Sequence, residues 1–261
     1  MSAIVIAAQP KFGCIHVATD AAVYAQDQTT IAFISKTLAL PRFPCAITVL
    51  GSYGALPWMQ LELSRQFSDF DDLVETAPGK LPKIVKSCGI EKGSDVIIAG
   101  ISKERGVPEA YTFRLNDEIP LGNTREEVAA NPHYPKFAGE LVKIDEPLVS
   151  PIPTDQVIAA DFQGFDLDGP PESVIWTMRQ VLEMQRHMTL PAAWPISIGG
   201  YGQVTTISAD GITQRVLQVW AEDENKIGGR LNPAPIDWSE WHRRNPKPGS
   251  VERKPALRVV R

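Results

Sequence analysis

The 261-residue sequence has no apolar run of the roughly 18 residues that a membrane-crossing helix requires. No basic segment precedes its short apolar start, which argues against a secretory signal. It has only three cysteines, Cys14, Cys45 and Cys88, without a CxxC pair, which argues against a disulfide framework or a structural zinc site. We therefore expect a protein of the cytoplasm, a reducing compartment, with no membrane partner.

The common motifs of cofactor and metal chemistry are also missing. There is no GxGxxG, GxxxxGK[ST], HExxH or GxSxG pattern. The four histidines, His16, His133, His187 and His242, lie far apart, and His16 falls within an apolar strand where a packed side chain is the better interpretation. A Ser–His–Asp site could still assemble in space, but no pattern points to it. The sequence thus predicts no cofactor and no metal.

Charge is unevenly distributed along the chain. The net charge is −5, yet residues 242–261 hold seven basic residues and one acidic residue, which leaves −11 on the rest. An acidic body lacks the footprint of a nucleic-acid-binding protein, so we expect no nucleic-acid partner. We divide the chain into a domain of residues 1–231 and a proline-rich basic tail of residues 232–261. The tail is either solvated or a docking arm for an acidic partner, and Trp238 and Trp241 favour packing of its start onto the body.

Hydrophobic patterning gives the order of the predicted elements. The predicted strands cover residues 3–8, 14–19, 29–40, 45–50, 94–101, 110–115, 156–162, 194–200, 203–208 and 212–219. Helices are predicted over 55–67, over 69–87 with an interruption near Pro78-Gly79, and over 170–188, with a loop-rich excursion at 116–153. Blocks of antiparallel strands with helices grouped between them indicate a layered α+β architecture rather than alternating βαβ units.

The N-terminus offers a possible nucleophile. Ser2 is a small second residue of the kind that generally permits removal of Met1, which would place a hydroxyl and a free α-amine on one residue. An α-amine with a pKa of roughly 7.7–8.0 can act as general base to its own side chain. Such a pair needs a nearby cation and a carboxylate that positions it. Lys36 and Asp20 are the candidates.

Several motifs occur in a characteristic order. An apolar strand follows Ser2, the next strand ends in Ala18-Thr19-Asp20, and Lys36 lies sixteen residues after Asp20. Gly51 closes a later strand, and a paired-glycine segment at 198–207 precedes an Asp-Gly turn. Over residues 2–115 and 155–220, this set resembles the proteasome β-subunit family of N-terminal nucleophile (Ntn) hydrolases, including the bacterial two-ring relatives.

The resemblance implies both a fold and an activity. The fold would be a four-layer αββα sandwich of two antiparallel sheets flanked by helices. Ser2 would be the nucleophile, Lys36 and Asp20 would support its amine, and the Gly51 N–H would form the oxyanion hole. The resemblance also implies a peptide or small amide substrate and a homo-oligomer, with the ring as the family's form of assembly.

Three departures from the family pattern keep a second hypothesis open. The nucleophile would be serine instead of threonine, and the segment from Ser2 to the aspartate is two residues longer than usual. Pro195 and Ile198 stand where the family has an aspartate and a serine that support the amine, which leaves Ser197 as the nearby hydroxyl and Asp161 as a substitute carboxylate to consider. The alternative is a catalytically inactive Ntn-fold structural or assembly protein.

Overall fold

In the computed structural model, the described residues are 3–25, 27–51, 53–90, 94–114, 139–189 and 198–249. They contain twelve strands: β1 (Ile4–Gln9), β2 (Cys14–Asp20), β3 (Ala22–Tyr24), β4 (Thr30–Phe33), β5 (Thr37–Ala39), β6 (Cys45–Leu50), β7 (Asp95–Ile101), β8 (Pro108–Arg114), β9 (Leu141–Ile144), β10 (Leu148–Ser150), β11 (Tyr201–Ser208) and β12 (Gly211–Val219). They also contain four α-helices: α1 (Leu56–Gln66), α2 (Phe70–Ser87), α3 (Pro171–His187) and α4 (Trp238–Arg244).

The strands form two five-stranded antiparallel sheets and a separate β3–β4 hairpin. The first sheet has the order β10-β1-β2-β11-β12, and the second has the order β5-β6-β7-β8-β9. This arrangement confirms the α+β class predicted from the order of the elements. None of the helices among the described residues is long and apolar enough to span a membrane.

Three clusters of buried apolar side chains hold these elements together. One, which includes Ile6, Val17 and Ile97, joins β1, β2 and β11 to β6, β7 and β8. A second packs α1 and α2 onto the second sheet, and a third packs α3 and α4 around the first sheet. Apolar residues therefore cover both faces of the central strands, which explains their nearly continuous hydrophobic runs.

Helix α2 corrects the predicted interruption at Pro78-Gly79, because it runs unbroken with Pro78 and Pro82 inside it. Pro78 and Gly79 lie on the exposed side, whereas a stripe of apolar residues on the other side is buried. Each internal proline costs about 3 kcal/mol. Burial of the apolar stripe against the second sheet outweighs this cost.

Other boundaries also differ from the prediction. The strand predicted over 29–40 is split into β4 and β5, and the predicted loop-rich excursion contains β9 and β10 in its described part. Residues 156–162 form turns instead of a strand. The backbone N–H groups of Ala160, Asp161 and Phe162 donate to carbonyls three to five residues earlier in the chain. In the predicted strand at 194–200, residues 194–197 lie outside the described residues, and residues 198–200 are not a strand.

The start of the predicted tail packs against the body. Trp238 and Trp241 of α4 are buried. The Trp241 ring lies against that of Trp176 of α3, with centroids 5.7 Å apart and planes tilted by 56°. The Trp176 indole N–H donates to the Asn245 carbonyl at 2.8 Å, and His242 Nε2 lies 3.0 Å from the Ala160 carbonyl oxygen. Residues 250–261 lie outside the described residues.

Candidate functional site

A buried lysine–aspartate pair is the centre of the candidate site. Lys36 Nζ lies 2.7 Å from Asp20 Oδ1, and the two side chains are 2% and 0% exposed. Charged side chains are rarely buried this completely, because desolvation is costly unless the charge is paired and hydrogen-bonded. This pair therefore calls for a specific explanation.

Local structure explains how the two residues meet. Asp20 is the last residue of β2, and Lys36 directly precedes β5. The Thr48 hydroxyl on β6 donates to the Lys36 carbonyl at 2.6 Å and fixes the backbone there. On the other side, Gln214 of β12 donates to the Thr37 carbonyl at 2.9 Å. Lys36 is thus held between the edges of the two sheets, and its side chain reaches the end of β2.

The Asp20 carboxylate accepts from four donors. Oδ1 accepts from the Ala3 N–H at 2.9 Å and from Lys36, while Oδ2 accepts from the Ala22 N–H at 3.1 Å and the Gly199 N–H at 3.4 Å. Ala3 is the first described residue and directly precedes β1, so the backbone just before β1 is bonded to the same oxygen as the lysine. Ser2, the predicted nucleophile, precedes Ala3 in sequence and lies outside the described residues.

The buried environment changes the acidity of the lysine. Burial lowers the pKa of Lys36 below its ordinary value, and the charge and hydrogen bond of Asp20 limit the fall. A lysine with a lowered pKa beside a fixed carboxylate is a common feature of sites that move protons. The same arrangement also occurs in structural ion pairs, so the neighbouring groups decide the interpretation.

Gly51 stands directly after β6, three residues beyond the Thr48 that fixes Lys36. Its φ is +120°, a conformation that L-residues rarely adopt, and a Cβ added there would collide with the Ser94 side chain. The position therefore requires glycine on two independent grounds. An exposed, side-chain-free backbone at the end of a rigid strand can present its N–H to a developing negative charge.

Two contacts of the site were missed from sequence. The turn of residues 198–200, here called the glycine turn, contacts Asp20 through Gly199. A buried pair between Arg186 at the end of α3 and Asp223 after β12 holds this turn, with Arg186 Nη1 2.8 Å from Asp223 Oδ2. Arg186 and Asp223 are 37 positions apart, so no helix or strand periodicity relates them in the sequence. The sequence did show the paired glycines of the turn.

Other candidate residues lie elsewhere. Asp161 is exposed and accepts from Gln163 at 2.6 Å, so it does not join the buried pair. His16 is buried with Nδ1 2.9 Å from the Thr206 hydroxyl and Nε2 3.1 Å from Gln9 Oε1, which makes it a packed histidine. Pro195 and Ser197 fall outside the described residues. Within the described ranges, no group of three or more His, Cys, Asp or Glu side chains is placed to hold a metal ion.

No protein-family model matches the chain. No curated protein matches it either.

Proposed function

We propose that the chain is an Ntn hydrolase of the proteasome β-subunit type, which cleaves peptide or other amide bonds with Ser2 as its N-terminal nucleophile. The observation that carries the proposal is the buried Asp20–Lys36 pair, bonded through Asp20 Oδ1 to the Ala3 N–H. One aspartate therefore contacts both the lysine and the residue that follows the proposed nucleophile.

The packing of the elements supports the corresponding fold, a four-layer αββα sandwich. The three apolar clusters lie between α1–α2 and the second sheet, between the two sheets, and between the first sheet and α3. That order is the order of layers in the proposed fold. The site residues come from the ends of β1, β2 and β6 and from the start of β5, so rigid elements hold them.

The proposed mechanism uses the α-amine of Ser2 as general base. The amine takes the proton as Ser2 Oγ attacks the carbonyl carbon, and the Gly51 N–H stabilises the resulting oxyanion, a contribution typically of about 3 kcal/mol. The tetrahedral intermediate collapses, the C–N bond breaks, and the ammonium returns the proton to the leaving amine. Water then hydrolyses the acyl-enzyme. The positive charge of Lys36 keeps the amine neutral by repulsion, and Asp20 holds Lys36 in place.

Ile198 favours the alternative, an inactive Ntn-fold protein with a structural or assembly role. It stands where the family has a polar residue supporting the amine, and its side chain is 3% exposed within the cluster around α3. An apolar side chain in a packed core cannot hydrogen-bond an amine. The family's two supporting residues are replaced by Pro195 and Ile198, which lowers the expected activity. Lys36, whose charge keeps the amine neutral, and Asp20, which holds Lys36, are both present. We therefore keep hydrolysis as the proposal, with a homo-oligomer as the expected assembly.

The proposal is tested with a β-lactone that acylates nucleophilic hydroxyls, followed by peptide mapping. We expect one adduct per chain, on Ser2, and no adduct in Ser2→Ala. Lys36→Met should lower the acylation rate by at least a hundredfold, because the amine loses the charge that keeps it neutral.

The matched control is Lys143→Met, which removes a lysine that also forms an ion pair, at 2.9 Å with the buried Glu109. This variant should acylate at the wild-type rate. Unchanged acylation in Lys36→Met would refute the mechanism, and the absence of any adduct in the wild-type protein would favour the inactive alternative.

A further inference from the structure

The buried Arg186–Asp223 pair has the geometry of a clamp on the glycine turn. Arg186 Nη1 and Nη2 lie 2.8 Å and 2.9 Å from the two Asp223 carboxylate oxygens, and their side chains are 0% and 2% exposed. Arg186 Nη1 also donates to the Ile198 carbonyl, and Asp223 Oδ2 accepts from the Gly200 N–H at 2.8 Å. The two partners thus bind the residues on either side of Gly199.

Gly199 itself is bonded to the end of β2. Its N–H donates to Asp20 Oδ2 at 3.4 Å, and its carbonyl accepts from the Ala21 N–H at 3.2 Å. A Cβ at position 199 would collide with both Arg186 and Asp223, so the backbone lies directly against the pair. The glycine turn therefore connects one buried ion pair to the other.

The Tyr24 phenol lies near both pairs. Burial is the main cause that raises the pKa of the Tyr24 phenol. The negative charges of Asp20 and Asp223 raise it further, and Arg186 opposes them. One phenol therefore lies within electrostatic reach of Asp20 from the first pair and of both members of the second.

We infer that the Arg186–Asp223 pair is a positioning pair for the proposed active site, holding the glycine turn so that the Gly199 N–H stays on the Asp20 carboxylate. The inference rests on the proposed function, because positioning has a catalytic meaning only if the Asp20–Lys36 pair serves Ser2. A carboxylate that loses one of its four donors can rotate and draw Lys36 with it. Small misplacements of catalytic groups of this kind strongly lower the reaction rate.

Asp223→Asn tests the inference, since it keeps the shape of the side chain and removes the buried one of the two carboxylate charges on Arg186. The other is that of the half-exposed Glu222, 3.0 Å from Arg186 Nη2. We expect the maximal acylation rate with the β-lactone to fall by about ten- to a hundredfold with the half-saturating concentration within twofold. Arg186→Lys keeps the charge but replaces the two guanidinium nitrogens that bind Asp223 with a single nitrogen. Its maximal acylation rate should lie between those of the wild type and Asp223→Asn. Amide exchange measured by NMR should be at least tenfold faster at Gly199 in Asp223→Asn than in the wild type.

The matched control is Glu109→Gln. Glu109 is 2% exposed, pairs with Arg105 and Lys143, and lies opposite Gly100, at the far end of β7 from Asp95. This variant should lose stability without any change in acylation or in exchange at Gly199.

Unchanged acylation in Asp223→Asn, or a fall equal to that of Glu109→Gln, would overturn the inference. If wild-type protein does not acylate, the proposed function fails separately, and exchange at Gly199 decides the inference. Faster exchange in Asp223→Asn then supports the clamp, whereas wild-type exchange overturns it. Should Asp223→Asn fail to fold, Arg186→Lys carries the same comparison.

Discussion

Lowering the pH should destabilise the fold through His16. The ring is fully buried. The side-chain amide of Gln9 donates both of its N–H groups, to the Leu167 and Gly169 carbonyls, each at 2.9 Å. Gln9 Oε1 must therefore accept from Nε2–H of His16, while Nδ1 accepts from the Thr206 hydroxyl. In the neutral ring, both nitrogens therefore form hydrogen bonds. A second proton would bind Nδ1, which could then no longer accept from the Thr206 hydroxyl.

The size of the effect follows from the pKa of His16, which burial lowers from 6.5 to about 4, with a raising contribution from Glu172 and a lowering one from Arg215. Because the unfolded chain takes up the proton first, stability is fully present above pH 6.5 and is lost as the pH falls towards 4. A difference of about 2.5 pKa units corresponds to about 3 kcal/mol in total, of which about 2 kcal/mol is lost between pH 7 and pH 5.

The assay is urea unfolding at pH 7 and pH 5 for the wild type and His16→Gln. Carboxylates contribute equally to both proteins, so the difference between their pH slopes isolates His16. We expect the variant to be less stable at pH 7 and to lose about 2 kcal/mol less than the wild type on going to pH 5. Equal slopes for the two proteins would refute the assignment of a neutral, buried His16.

Three further perturbations have expected outcomes. Lys36→Met should lower the free energy of unfolding in urea by about 3–5 kcal/mol, because it leaves Asp20 buried without its cation. The double variant with Asp20→Asn should lose less than the sum of the two single losses, whereas additive losses would contradict the pairing. Trp241→Ala should cost about 3–5 kcal/mol in the same assay and increase proteolysis near the C-terminus, and wild-type resistance would show that α4 is not docked. Gly51→Ala should cost roughly 1–3 kcal/mol through its positive φ and the collision with Ser94, and should lower β-lactone acylation, whereas full stability and full acylation would argue against the required glycine.

Local patterns predicted most of the regular elements. The hairpin around Gly13, strands β6, β7 and β8 of the second sheet and helix α3 follow from apolar periodicity and turn residues, which are properties of neighbouring positions. The interruption predicted at Pro78 was wrong because propensity is local, while burial of the helix face against a sheet is not. Strands β9 and β10 were missed because three or four residues are too short to show a period.

For the candidate site too, sequence spacing predicted some residues, whereas those brought together by tertiary packing were missed. Asp20, Lys36 and Gly51 were singled out by ordered spacing, and the structure brings the first two into contact. The Arg186–Asp223 pair could not be predicted, since its partners come from a helix and a turn joined only by tertiary packing. Asp161 was weighed as a substitute carboxylate because of its position before α3, but it points to solvent.

The intact mass of the native protein, measured before and after β-lactone treatment, tests the central claim most directly. The account predicts a chain that has lost Met1 and so begins with a free Ser2, and a mass increase of one acyl group that maps to Ser2. A native chain that keeps Met1, or any other residue, ahead of Ser2 would lack the proposed general base. That result would contradict the hydrolase and leave the inactive, structural role of this fold.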